Sequence, residues 1–234
     1  MDNQPLPGQP AFAPGSLPLP AAAEAGVLSL GERVMGITCV GFLAAVAGVA
    51  AGAHGLNDAH TTTGRYLLWV LVDVALLLAV IALAEVPGLG LLAYVGFTFV
   101  TGIVLAPLIH SMSLNGQSAV VAQAFFATAG ITLGLTLYAR VTTRDFSGAG
   151  PYLFGALLGL VIMSFLQLFF YSPTTDLIIG AIGVVLFSFY LIYDIQRITR
   201  SLNTRGNAIR LALSLYLDIL NVFVSLLRVL GSSR

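Results

Sequence analysis

Three aspartates, Asp73, Asp194 and Asp218, lie deep inside long apolar runs of this 234-residue chain. A carboxylate at the centre of a membrane helix costs about 2.5–3.5 kcal/mol on insertion scales, and the usual reason to carry one is an ion path, a proton relay or a bound cation. The charges of Asp58, Arg65, Glu85, Asp145 and Asp176 fall in loops or at the ends of the runs, where water solvates them. Asp194 precedes Arg200 by six positions and Asp218 follows Arg210 by eight, about 9 and 12 Å along a helix axis. Consecutive helices joined by a short loop are neighbours, so these two carboxylates sit at similar depth and face each other. Such a pair does not stay doubly ionised without a compensating cation; it shares a proton or holds a metal ion. Two hard oxygen donors suit calcium but fall short of the roughly six to eight ligands it prefers. The chemistry expected of Asp194 and Asp218 is therefore a weak calcium site contested by protons, with a titration that belongs to the pair.

The last apolar run adds a seam. Asn207, Arg210, Ser214, Asp218, Asn221, Ser225 and Arg228 follow steps of three and four, which places them along one helix face. A polar seam in a membrane helix turns toward protein or water. Asp218 on it points to a lined cavity, whereas Ser214, Asn221 and Ser225 either line that cavity or simply bond neighbouring helices. Asp73, Ser214, Asn221, Arg197 and Arg200 are the further candidates for pore lining or gating.

The elements that hold these residues follow from composition. Hydrophobic residues make up 58% of the chain, charged residues 9%, and the mean hydropathy is +0.96. A soluble domain carries about 25% charged residues, so a soluble enzyme is excluded. A net charge of zero supplies no basic patch for nucleic acid. The chain has no lysine, which removes a retinal Schiff base, and its one cysteine, Cys39, permits neither an intrachain disulfide nor a multi-cysteine metal site. No tightly bound cofactor is expected. Apolar stretches and short polar breaks predict an all-α membrane protein with seven spans near Val34–Ala53, Tyr66–Ala84, Leu89–Ile109, Ala119–Tyr138, Tyr152–Phe170, Leu177–Gln196 and Ala208–Leu227. The runs are too long, and lack the period of two, for barrel strands. Six prolines between Pro5 and Pro20 mark residues 1–32 as a disordered cytoplasmic tail, leaving 33–230 as the seven-helix domain. The tail lacks the basic start and continuous apolar core of a signal peptide. Three GxxxG pairs, Gly48/Gly52, Gly130/Gly134 and Gly155/Gly159, read as close helix-packing devices, and Pro107 as a kink in the third span.

Orientation follows from arginine. If all seven segments cross, Arg33, Arg140, Arg144, Arg197, Arg200, Arg205 and Arg210 share the tail's side, against Arg65, Arg228 and Arg234 on the other. The excess places the tail in the cytoplasm. Arg228 and Arg234 oppose the rule, so a re-entrant last segment is the alternative to a full span.

Enzyme readings fit poorly. Tyr193-Asp194 resembles one half of an intramembrane aspartyl protease, but Asp218 follows Leu215-Tyr216-Leu217 where that class has GxGD. A rhomboid-type GxSG is absent, and His54, His60 and His110 at span ends make a poor zinc trio.

The stretch Leu213-Ser214-Leu215-Tyr216-Leu217-Asp218-Ile219-Leu220-Asn221, with Phe223 and Leu226-Leu227-Arg228, closely resembles the last helix of the Bax inhibitor-1 (transmembrane Bax inhibitor motif) family. Phe187-Ser188 with Leu191-Ile192-Tyr193-Asp194 resembles its sixth helix, and Gly102-Ile103 with Leu105 and Pro107 its third. The resemblance covers the whole membrane part and implies a seven-helix fold with the last helix central. It also implies a pH-sensitive calcium leak in which Asp194 and Asp218 sense protons and bind or gate the cation. Asp73 matches a second-helix position that is acidic in bacterial relatives. The second span ends Ala82-Leu83-Ala84-Glu85, without the basic residues common there, so Arg197 or Arg200 would have to pair with the di-acid.

The expected function is thus a bacterial inner-membrane calcium channel or transporter working on calcium and protons within the lipid bilayer. The rival is a regulatory protein that binds a membrane protease or stress factor and moves no ions. In that case the Arg197–Arg210 loop or the tail makes the contacts, and deleting residues 1–30 would abolish them while sparing a leak.

Overall fold

The computed structural model describes residues 28–55, 63–167 and 169–232, so most of the expected tail lies outside the described residues. Among the described residues seven helices follow in order: α1 Leu30–Gly55, α2 Thr63–Leu83, α3 Leu89–Leu114, α4 Ser118–Val141, α5 Gly150–Gln167, α6 Pro173–Arg200 and α7 Arg205–Ser232, with a 3-10 turn at Ser147–Ala149. No strand occurs among the described residues. All seven helices are long and apolar enough to cross a membrane, and the chain is an all-helical, multi-pass membrane protein.

Helix α1 starts at Leu30, inside the stretch expected as tail, because Ser29 and Glu32 form a reciprocal cap. The Ser29 amide donates to Glu32 Oε2 at 2.7 Å, and the Glu32 amide donates back to Ser29 Oγ at 3.3 Å. The tight breaks on either side of α3 use Gly88 and Gly116 at φ 78° and 72°, a left-handed conformation that costs glycine little. The α3 helix runs through Pro107 and ends only at Leu114.

Helix α1 packs most extensively on α3, α2 lies against α3, and α6 pairs with α7. The last helix touches α1, α2, α3, α4 and α6. Where α1, α3 and α7 meet, Tyr216 carries the core: its ring lies 4.9 Å from Phe42, 6.3 Å from Tyr94 and 6.1 Å from Phe97, centroid to centroid. Both tyrosines are fully buried. By contrast α5 turns Tyr152, Phe154, Ile162 and Phe165 outward, the apolar surface a lipid-facing helix needs.

The three GxxxG pairs part company. A Cβ on Gly48 would run into the Phe99 carbonyl, and one on Gly52 would lie 2.7 Å from Ala106 Cβ, so this pair is where α1 and α3 meet. Gly130, Gly134, Gly155 and Gly159 have nothing within 4 Å of that position. Those two pairs do not pack helices within the chain, because α4 and α5 turn their glycine faces outward.

Polar contacts sort the helix ends. At one end Arg33 donates to Asn203 Oδ1 at 3.1 Å, Arg200 pairs with Asp145 at 2.7 Å and Arg210 with Glu85 at 3.5 Å. At the other, Arg228 pairs with Asp176 at 3.7 Å. Helix α7 therefore runs the full length of the bundle antiparallel to α6, as a full span requires and a re-entrant segment does not.

Candidate ion-binding site

Helices α6 and α7 approach closely because α6 offers glycine where α7 presses in. A Cβ on Gly180 would lie 3.0 Å from Arg228 Cβ and from the Ser225 carbonyl oxygen, and Gly183 faces the Ser225 hydroxyl. This fixes the rotation of both helices, and nearer the other end of the pair it turns Asp194 and Asp218 inward. Asp194 is 1% exposed and Asp218 5%.

The structure brings these two acids together. The Asp194 carboxyl lies beside that of Asp218 and beside the Ser214 hydroxyl, one turn earlier on α7. Tyr190, one turn earlier on α6, lies near enough for both acids to act on it electrostatically. The Oδ2 atom of each acid is buried with no hydrogen-bond partner among the described residues. Arg197 stands at the edge, its guanidinium 4.0 Å from Asp194 Oδ1 and its side chain about half exposed. Two adjacent buried acids, one loosely held arginine and two oxygens without partners among the described residues make a site rich in acceptors and poor in donors.

The other candidates separate. Asp73 does not join the pair: it is half-buried between α2 and α3, where Thr101 Oγ1 donates to its Oδ1 at 2.7 Å. The Tyr216 hydroxyl lies near Thr101 and Asp73, so α7 carries two polar clusters on different faces. Asn221 donates to the Leu217 carbonyl of its own helix at 2.8 Å, a bond within α7 and not to a neighbouring helix. Arg200 turns away to Asp145 and is not part of the acid pair. The Ser147 amide, foremost, and the Arg200 guanidinium hold the Asp145 carboxyl down at about 2. Glu85 and Asp176, read as solvated end charges, each have an arginine partner on α7. Thr101 and Tyr190 carry no signal in the sequence, and Tyr216 stands there only as part of a motif. A lone hydroxyl in an apolar span leaves no periodic signal, and only packing shows what it faces.

The model of the family described as inhibitor of apoptosis-promoting Bax1 matches residues 28–234. The chain belongs to the Bax inhibitor-1 family. An uncharacterised protein of Campylobacter jejuni is 38% identical over 193 residues, covering 81% of this chain and 82% of its own. The inner membrane protein YbhL of Escherichia coli K12 is 31% identical over 225 residues, covering 90% and 94%. Mouse protein lifeguard 4 is 42% identical over 110 residues, covering 47% of this chain and 46% of its own. Bax inhibitor-1 membership thus extends over both clusters on α7, and similarity reaches bacterial and animal relatives alike.

Proposed function

We propose that this protein is a pH-sensitive calcium leak channel or transporter, gated by protonation of the Asp194–Asp218 pair. The observation that carries this reading is the burial of two adjacent carboxyls whose Oδ2 atoms lack partners among the described residues. Protonation relieves the site in one state and a calcium ion relieves it in the other, so the two ligands compete. By linkage each weakens binding of the other by the same factor. Ser214 and Tyr190 offer further oxygens, and Arg197 supplies a positive charge that an entering cation displaces. The inner-membrane relative YbhL supports an inner-membrane location. The excess of arginine at the end that carries Arg33, Arg200 and Arg210 supports a cytoplasmic N-terminus.

The test is calcium uptake by liposomes holding the purified protein, scanned from about pH 5 to 8, the range in which perturbed buried carboxyls titrate. Uptake with a pH midpoint that Asp194→Asn and Asp218→Asn both abolish is the expected result. If uptake never exceeds that of protein-free liposomes while the protein remains folded by circular dichroism, the reading is refuted. The regulatory alternative, a membrane partner bound without ion movement, then takes its place.

A further inference from the structure

At the C-terminal end of α6 lies a cavity of about 250 Å³ that Arg197 lines and the acid pair does not, with Ser147, Tyr193, Gln196, Arg200 and Ser201 completing its wall. It sits at the end of α6 where the other interfacial arginine contacts gather, the depth of lipid headgroups at a helix end. Its wall is built rather than incidental. Gln196 is 8% exposed and spends both ends of its amide on the loop after α4, donating to the Arg144 carbonyl at 2.8 Å and accepting from the Phe146 amide at 3.0 Å. Those bonds hold the Ser147–Ala149 turn against α6. Gly150 lets the turn settle there, since a Cβ at that position would lie 3.0 Å from the Tyr193 hydroxyl oxygen.

The donors around the cavity match one ligand class. Arg197 and Arg200 stand one turn apart on α6 with side chains about half exposed. Arg200 shares its charge with Asp145, but among the described residues the acid beside Arg197 is Asp194 at 4.0 Å, beyond hydrogen-bond distance. Two guanidiniums with the Ser147 and Tyr193 hydroxyls suit a phosphate, whose several oxygens accept charge-assisted bonds from arginine forks, while the Ser201 hydroxyl donates to the Arg197 carbonyl at 2.8 Å. Basic pockets between membrane helices are a general means of holding anionic headgroups.

We infer that this cavity binds a phosphate monoester through Arg197 and Arg200, and that its occupancy draws Arg197 away from Asp194. The second clause rests on the calcium reading above; the first does not. A phosphate that engages Arg197 removes the positive charge nearest the acid pair, so the pair holds calcium more tightly when the cavity is filled.

The probe is fluorescent phosphatidic acid retained by the full-length protein in phosphatidylcholine nanodiscs, with fluorescent phosphatidylcholine as the reference lipid. Phosphatidic acid should bind in preference, and Arg197→Gln or Arg200→Gln should each weaken it about tenfold, the loss of one charge-assisted bond. Tyr193→Phe, which removes a single hydroxyl and keeps the packing, should weaken it less. Arg140→Gln, a charge of the same sign at the end of α4 and outside the cavity, should leave it unchanged. Unlabelled inorganic phosphate forms the second arm: competition assigns the site to soluble phosphates, and failure to compete assigns it to the lipid headgroup. Equal weakening by Arg140→Gln and Arg197→Gln, or no preference over phosphatidylcholine, overturns the site. In the uptake assay, phosphatidic acid should lower the calcium concentration giving half-maximal uptake in wild type and not in Arg197→Gln; an equal effect in both overturns the coupling. Absence of all uptake in wild type would defeat the calcium reading while the binding arm still decides the site.

Discussion

Gly48→Ala and Gly130→Ala place the same methyl group in the same sequence motif and should have opposite outcomes. A Cβ on Gly48 meets the backbone of α3: it collides with the Phe99 carbonyl oxygen and lies 2.9 Å from that carbonyl carbon and 3.1 Å from Gly102 Cα. The relation is mutual, since a Cβ on Gly102 collides with the Ala45 carbonyl and lies 3.0 Å from Ala45 Cα. Ordinary carbon contacts begin at about 3.5 Å, so α1 and α3 must separate by at least about 0.6 Å. No side-chain rotation relieves a clash with helical backbone. Overpacking typically costs about 1–3 kcal/mol, and a backbone clash belongs at the upper end. At Gly130 the methyl finds open space, and alanine favours a helix over glycine by about 1 kcal/mol. Monodispersity of the detergent-solubilised protein after heating should therefore show a midpoint lowered by roughly 5–10 °C for Gly48→Ala, using the stability scale of a chain this size. Gly130→Ala should match wild type or exceed it slightly. Equal damage at both positions, or no damage at Gly48, would refute the assignment of one pair to the α1–α3 contact and the other to the bundle's outer face.

Three further outcomes follow from the same geometry. Asp73→Asn keeps an acceptor for Thr101 and lies apart from the acid pair, so calcium uptake should retain its wild-type pH midpoint; a shifted midpoint would place Asp73 on the path. Asp145 is held at about 2 against an ordinary 3.8, so its stabilising contribution is fully present above about pH 4 and disappears as pH falls through 2. The difference in thermal midpoint between wild type and Asp145→Asn should hence be constant from about pH 5 to 8 and shrink in stronger acid, and a difference that varies near neutrality would contradict the Arg200 and Ser147 contacts. Gln196→Ala loses both bonds that fasten the loop after α4, a cost of about 1–3 kcal/mol, and should make residues 142–149 more sensitive to limited proteolysis; unchanged cleavage would show that the loop is held elsewhere.

Much of this protein is legible in its sequence because a bilayer enforces strong rules. Charge scarcity and apolar runs alone require seven helices, since every backbone group in lipid must be satisfied within its own segment. The steps of three and four through Ser214, Asp218, Asn221 and Ser225 fix one face of α7. Counting from Arg200 and Arg210 places Asp194 and Asp218 at one depth, where the structure finds them side by side. What a one-dimensional pattern does not carry is rotation and neighbourhood. The three GxxxG pairs read alike, yet only Gly48 and Gly52 among them meet another helix, because rotation about the helix axis is set by what packs on the other side. Arg197 and Arg200 differ by a single turn, but one stands by Asp194 and the other reaches a loop 55 positions earlier in the chain. Asp73 shares its depth of burial in sequence terms with the acid pair and belongs to a different cluster, with Thr101 and Tyr216. Depth in the membrane follows from counting along one helix; partners follow from contacts between helices, and those exist only once the bundle has closed.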